Sequence, residues 1–473
     1  MAQDQTTPDV SAGPSTKSLL SHETLPRERF ALAAALFLIT GVNGFLQPFL
    51  PLYLNAAGLT KSRVGLVLAL GTGAALLIQP LLGRLSDKWD ARRPIMACAA
   101  VFSAVAYLCF RFAHSLPAFI ALTALGVNGF AYLNAAGGVL VGRLAQSGRG
   151  GAAYVGYRVW GSVGYVVIGM TTGWLINRSL PPQATLSRAS LEPVFTYGPL
   201  LFFAIAAIVA WVPDRKRLSP ARPVDGEPEV ISVEDNSLVA DRVASGSPST
   251  GRAGDNAAGD SRSFKDDRRL QGEPQTDTNL NAFLLSFFLY QLALYGASSF
   301  LPFYMKQLGA SPGLITAMFA GGVVSEVLVM TRIGRWTDIY GRRPALAFSF
   351  LLMPIRLLMY IPAHTPAWVM AVQTLHGLNF GIIGTIAVVF VNDLAGDHER
   401  GAKQARLAAA QGMGTAVGPI LCGWLSDHAG LQGMFALMSA IGFVAAGLFL
   451  TRVRESHTNA TTHRNRAVRW LAG

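Results

Sequence analysis

The chain has 473 residues, 51% of them hydrophobic and only 14% charged, against roughly 25% charged in soluble domains. That balance excludes an ordinary soluble single-core fold. The net charge of +12 does not indicate a nucleic-acid binder, because the basic residues sit in short loops between apolar stretches and form no continuous basic face.

Residues 1–29 are polar, with Pro8, Pro14 and Pro26, and lack the charged, apolar, small-residue order of a cleaved leader. They are expected as an N-terminal tail. Apolar stretches long enough to cross a hydrocarbon layer about 30 Å thick follow at 30–52, 64–83, 94–113, 117–142, 153–176 and 193–213. The next segment, 214–278, is rich in Ser, Gly, Pro, Asp and Arg and almost free of aromatics, a composition that cannot bury enough apolar area to offset chain entropy. A disordered linker is predicted there. Six further spans are predicted at 279–303, 313–331, 344–362, 366–392, 403–425 and 430–451, and residues 454–473 form a C-terminal tail. The fold expected is an all-α membrane protein of twelve transmembrane helices in two six-helix bundles, 30–213 and 279–453.

Cations mark alternate loops. Lys17, Arg27 and Arg29 precede the first span, and Arg84, Lys88, Arg92 and Arg93, then Arg143 and Arg149, Arg215 to Arg217, Arg335, Arg342 and Arg343, and Arg400, Lys403 and Arg406 all fall on one side. By the positive-inside rule both tails and the linker are predicted to be cytoplasmic, in an inner membrane. Cys98, Cys109 and Cys422 lie inside apolar spans, away from any metal-ligand spacing, and read as packing residues. No cofactor or metal is implied.

The halves repeat each other. Phe49-Leu-Pro51-Leu-Tyr53-Leu with Gly58 returns as Phe300-Leu-Pro302-Phe-Tyr304-Met with Gly309, 251 positions later, and Gly83-Arg84 with Asp87 returns at the same distance as Gly334-Arg335 with Asp338. Gly173-Trp174-Leu175 is answered by Gly423-Trp424-Leu425, one position off that register. Parallel repeats of this kind imply two equivalent bundles around an axis along the membrane normal, with a cavity between them.

The loops Gly83-Arg-Leu-Ser-Asp87-Lys-Trp-Asp-Ala-Arg92-Arg93-Pro94 and Gly334-Arg-Trp-Thr-Asp338-Ile-Tyr-Gly341-Arg342-Arg343-Pro344 resemble the signature of the major facilitator superfamily. The resemblance implies that Gly83, Asp87, Arg92 and Arg93, with Gly334, Asp338, Arg342 and Arg343, bias a gate, the glycines letting helices approach closely. A tight basic loop obeying the positive-inside rule is the plainer reading. Pro48-Phe-Leu-Pro51, Gln79-Pro80-Leu-Leu-Gly83, Arg158-Val-Trp-Gly161, Ser325-Glu326, Arg356 and Leu375-His376-Gly377-Leu378-Asn379-Phe380-Gly381 are similar to the branch containing lactose permease, the nucleoside permeases and the phenylpropionate transporters.

A charged side chain at mid-membrane costs roughly 2.5–3.5 kcal/mol on insertion scales, so those that remain face a cavity or a partner. By the resemblance, Arg158 falls on the arginine that contacts substrate, and Glu326, Arg356 and His376 fall in the substrate and proton network. Structural alternatives stand beside these: an intramembrane Glu326–Arg356 pair, a His376 that only joins helices, and an Arg158 that snorkels to the headgroups. Where lactose permease has a carboxylate on span 4, this chain is apolar around Gly137 to Val141, and three residues past His376 stands Asn379 in place of an acid, itself expected among the solute contacts. Glu326 is left as the acid to carry a proton. Asn43, Gln47, Asn128, Asn134, Gln291 and Tyr295 are candidates to line the cavity, with helix-to-helix glue as the alternative.

No phosphate-cradling glycine loop and no nucleophile-elbow serine is present, so neither ATP-driven transport nor enzyme chemistry is expected. The reading is a monomeric secondary transporter that moves a small organic solute by alternating access with a proton as coupling ion, and the solute a nucleoside, glycoside or aromatic acid. The alternatives are a proton-driven drug or metabolite exporter and a non-transporting sensor. Against export, the Gly-Pro pair of many antiporters is missing from span 5, although Gly418-Pro419 stands on span 11.

Overall fold

The computed structural model describes residues 26–89, 91–145, 150–181, 186–211, 263–396 and 399–456. The first half comprises α1 (Pro26–Ala56), α2 (Lys61–Lys88), α3 (Arg92–Cys109), α4 (Leu116–Ala145), α5 (Gly150–Ser179) and α6 (Arg188–Trp211). The second comprises α7 (Ser263–Gln307), α8 (Pro312–Tyr340), α9 (Arg342–Tyr360), α10 (Pro366–Gln373), α11 (His376–Asp393), α12 (Arg400–His428) and α13 (Gly430–Arg452). Most helices run past the predicted spans at one or both ends, because a helix continues through the headgroup layer where its polar ends are solvated. The linker expected at 214–278 lies largely outside the described residues; its last part, from Ser263, is helical and continues into the α7 span, which becomes apolar from Asp277.

Two units are distinguished. Met1–Val212 with Thr278–Gly473 forms the one that holds both halves, and Pro213–Asp277 is the other. Eleven stretches of described residues are long and apolar enough to cross a membrane. The twelfth crossing is α12, 29 residues long, whose polarity comes from Lys403, Gln404, Arg406 and Gln411. Leu77 is 74% and Val444 62% exposed, an apolar outer band suited to lipid.

The repeat read from the sequence reappears as geometry. Gly58 and Gly309 both have positive φ, +96° and +80°, a conformation that costs other residues a Cβ clash, and each ends the turn after its Pro-Leu/Phe-Tyr helix. Thr60 and Ser311, at the same repeat distance, cap α2 and α8 by accepting from the N–H groups of Arg63 and Leu314. Tyr53 donates to the Phe110 carbonyl, and its counterpart Tyr304 to those of Tyr360 and Ala363, tying the ends of α1 and α7 to those of α3 and α9.

Glycines bring backbones into contact. A Cβ on Gly164 would lie 1.9 Å from the Phe37 carbonyl oxygen, and one on Gly418 2.4 Å from that of Leu292, so the glycine stripes of spans 5 and 11 serve close packing within each half. Other members of the stripes work across the halves: Gly173 abuts Pro312 and Thr316, and Gly412 abuts Leu76. The halves meet where α2 packs on α12 and α5 on α8.

Span 10 is not one helix. It breaks at Thr374 and Leu375, whose N–H groups turn back to Ala371 and Val372 with i to i−3 bonds, a tightening seen at helix ends. α11 restarts at His376.

Candidate functional site

The halves enclose a cavity of about 680 Å³. Asn43 and Gln47 of α1 and Tyr165 of α5 face into it from one half, and Tyr295 of α7, Glu326 of α8 and His376 of α11 from the other. Tyr165 donates to Gln47 Oε1 at 2.8 Å, and Tyr165 and Tyr295 both lie within electrostatic reach of the Glu326 carboxyl. Aromatic surface, amides and one acid therefore converge from facing helices, the combination of apolar wall and few polar groups that ligand sites show.

The break before His376 docks on α8. Ser325 Oγ accepts from the Gly377 N–H at 3.1 Å and donates to the Gly322 carbonyl at 2.8 Å. A Cβ on Gly377 would lie 2.3 Å from the Ser325 carbonyl carbon and 2.4 Å from the Glu326 nitrogen. The glycine thus lets the two backbones touch beside the acid and the histidine.

Arg356 is 1% exposed and its Nη1 lies 2.9 Å from His376 Nδ1. A guanidinium only donates, so Nδ1 is the acceptor and, in the neutral ring, the proton is on Nε2. Where the sequence offered Glu326 as the partner of Arg356, the structure places the arginine's hydrogen bond on His376, and its Nε has no hydrogen-bond partner. Asn379 is fully buried and clasps α9, its Nδ2 donating to the Ser349 carbonyl at 3.0 Å while Ser349 Oγ donates to the Asn379 carbonyl at 3.1 Å. Tyr290 joins that clasp at 3.0 Å.

Neither Arg356 nor Asn379 lines the cavity, although both were expected among the solute contacts. Asn379 stands about 60° round the helix from His376, where its amide reaches Ser349 of α9 instead of the cavity, while Phe380 lies on the cavity wall. Tyr295 also lines the cavity, whereas Gln291 and Asn128 are buried among helices with one amide oxygen each unpartnered. Arg158 belongs to α5, but its side chain, like that of Asn134, lies outside the described residues. Ser162, Ser298 and Gln373 complete polar stretches of the wall. A signal for the wall was present: Thr40, Asn43 and Gln47 recur at helical spacing on one face of α1.

At the signature loops, Arg92 bonds Asp87. Arg342 bonds Asp338 at 2.7 Å and Asp393 at 3.3 Å, and Arg343 holds the Val453 and Leu450 carbonyls at 2.8 Å each. Glu455 accepts from the N–H groups of Arg342 and Arg343 at 3.0 Å. Nearby and exposed, Glu399 has its pKa lowered by a hydrogen bond from Lys403 and by that residue's charge. Gly83 and Gly334 were expected to admit close helix contact, yet a Cβ on either would meet nothing within 4 Å. The named contacts between halves lie from mid-membrane to the opposite end: Gly412 with Leu76, Gly173 with Pro312, and Lys306 Nζ with the Leu186 carbonyl at 3.4 Å. Among the described residues no cluster of three metal-ligating side chains occurs.

The fold is shared with solved transporters: a point mutant of the nucleoside transporter NupG, with a TM-score of 0.68 at 15% identity over 90% of this chain and 100% of that one, and the inward-open xylose transporter XylE from E. coli, with 0.65 at 16% over 91% and 97%. In sequence the chain is 23% identical to the uncharacterized MFS-type transporter Rv2456c of Mycobacterium tuberculosis, over 91% of this chain and 94% of that one. A shorter match, 27% identical over 38% of this chain and 44% of the relative, is to the multidrug resistance protein MdtG of Klebsiella pneumoniae. The model of the MFS_1 like family matches residues 30–437, which with the twelve crossings and the paired signature loops makes this chain a member of that family and a transporter of the major facilitator superfamily.

Proposed function

We propose that the protein imports a small polar or aromatic solute, of the nucleoside, glycoside or aromatic-acid class, by alternating access coupled to protons. The observation that carries this is the meeting of Glu326 and His376 with Tyr165, Tyr295 and the amides of Asn43 and Gln47 around one cavity. Aromatic rings offer stacking surface to a base, a sugar face or an aryl ring, and the amides and the acid offer hydrogen bonds to its polar edge. Glu326 is the proton carrier of this scheme, since His376 Nδ1 is engaged as an acceptor from Arg356.

Both tails face the cytoplasm of an inner-membrane protein in this reading, and the signature loops face the same way. The seam closed at the other end and the open surroundings of Gly83 and Gly334 then correspond to a cavity directed inward, with those glycines making their close contacts in the opposite state. The solutes named for NupG and XylE, a nucleoside and xylose, support a small polar solute; the name of MdtG, a multidrug resistance protein, supports a second reading, export.

The test is transport in reconstituted vesicles with labelled nucleosides, glycosides and aromatic acids, with and without a pH gradient of either sign. Gradient-driven accumulation in the import sense is expected, and Glu326→Gln should remove it while leaving solute exchange, because exchange never needs the empty, deprotonated carrier. Accumulation that survives in Glu326→Gln refutes the coupling role, and flux only in the outward sense favours export.

A further inference from the structure

We propose that Asp427 is a conformational latch of the transport cycle, closing the cavity at the end opposite the signature loops by capping a helix of the other half. The first N–H groups of a helix lack intrahelical partners and carry partial positive charge. At the start of α2, the Lys61 N–H donates to Asp427 Oδ1 at 3.2 Å, and the Ser62 N–H and hydroxyl donate to Oδ2 at 2.8 and 2.5 Å. The next N–H, that of Arg63, is taken by Thr60 of the same half. The N terminus of α2 is therefore capped jointly, by its own half and by the end of α12.

Backbone contact lies directly beneath. A Cβ on Gly65 would stand 2.1 Å from the Pro419 carbonyl oxygen, and one on Gly423 2.5 Å from that of Lys61. Such a seam has no side-chain slack, so parting α2 from α12 breaks all three bonds to Asp427 together and exposes N–H groups that water alone must then satisfy.

The repeat shows that the device belongs to one seam. The equivalent contact is between α5 and α8, where Gly173 meets Pro312 and Thr316. There the residue matching Asp427 is Asn177, and those matching Lys61 and Ser62 are Pro312 and Gly313. Proline has no N–H, glycine no hydroxyl and asparagine no charge. The carboxylate cap is consequently asymmetric, and opening is resisted more at α2/α12 than at α5/α8.

The inference rests on the alternating-access reading, and its test needs no solute. In right-side-out vesicles, with the three native cysteines replaced, Ser299→Cys on the cavity wall is labelled with a membrane-impermeant maleimide. Asp427→Ala should raise the labelling rate about tenfold, equivalent to ~1.4 kcal/mol, Ser62→Ala should raise it less, and Asn177→Ala should leave it unchanged. An unchanged rate in Asp427→Ala, or an equal rise in Asn177→Ala, overturns the latch. Should Asp427→Ala fail to fold, Ser62→Cys with Asp427→Cys decides: oxidation to the disulfide should suppress labelling and reduction restore it, and indifference to oxidation overturns the proposal. Absence of any solute flux would sink the transport reading without altering these rates.

Discussion

Replacing Gly377 by alanine tests whether the helix break beside His376 sets the geometry of the site. The added Cβ would lie 2.3 Å from the Ser325 carbonyl carbon, whereas ordinary contact begins near 3.4 Å, so α8 and α11 must part by roughly 1 Å. Forcing one methyl into a packed interface costs about 1–3 kcal/mol, and a 1 Å misplacement of reacting groups can cost about 100-fold in rate. The separation also lengthens the Ser325 to Gly377 hydrogen bond and moves His376 away from Glu326. Gly381 is the control one turn on: its Cβ would meet Val329 at 3.2 Å and the Glu326 carbonyl oxygen at 3.3 Å, a conflict of tenths of an ångström. Initial uptake rate and thermal unfolding in detergent, measured side by side, should show Gly377→Ala losing at least tenfold in rate with a lowered unfolding temperature, and Gly381→Ala close to the parent. Equal behaviour of the two variants would refute the reasoning.

Two further outcomes are expected. Asp87→Asn and Asp338→Asn each neutralise an exposed carboxylate paired with a more buried arginine, a contact that solvent screening holds to about 1 kcal/mol, so flux should fall by about fivefold while equilibrium solute affinity holds; collapse of affinity in a folded variant would place these residues at the solute. A reporter active only in the cytoplasm, fused after Gly473 or inserted within residues 214–262, should give signal at both places, and silence at either contradicts the even number of crossings.

Much of the frame was legible because the chain states it twice. Glycine at 58 and 309, tyrosine at 53 and 304, and a capping hydroxyl at 60 and 311 each answer a local backbone need, and local needs leave local residues. The break at Thr374 and Leu375 was not legible, since neither residue disfavours a helix strongly and the cause lies on α8, in Ser325 and in the room that Gly377 leaves. The hydrogen-bond partner of Arg356 was hidden for the same reason: the choice between Glu326 and His376 depends on which helix faces which. Helical spacing could not decide Asn379, because a residue three positions from His376 shares its face, and what draws its amide to α9 is Ser349.

In the proposed scheme the proton is carried on Glu326 of the cavity wall. Glu326 is on the wall, whereas the cation nearest to its histidine neighbour, Arg356, is buried behind and already donates to Nδ1 of that ring. Closure around a solute strips water from a carboxylate, and the groups around it decide how much of that lost hydration is offset. In that scheme a solute held between Asn43 and Gln47 of one half and the Glu326 wall of the other would bridge the halves, so its binding and the protonation of Glu326 would bias the same movement.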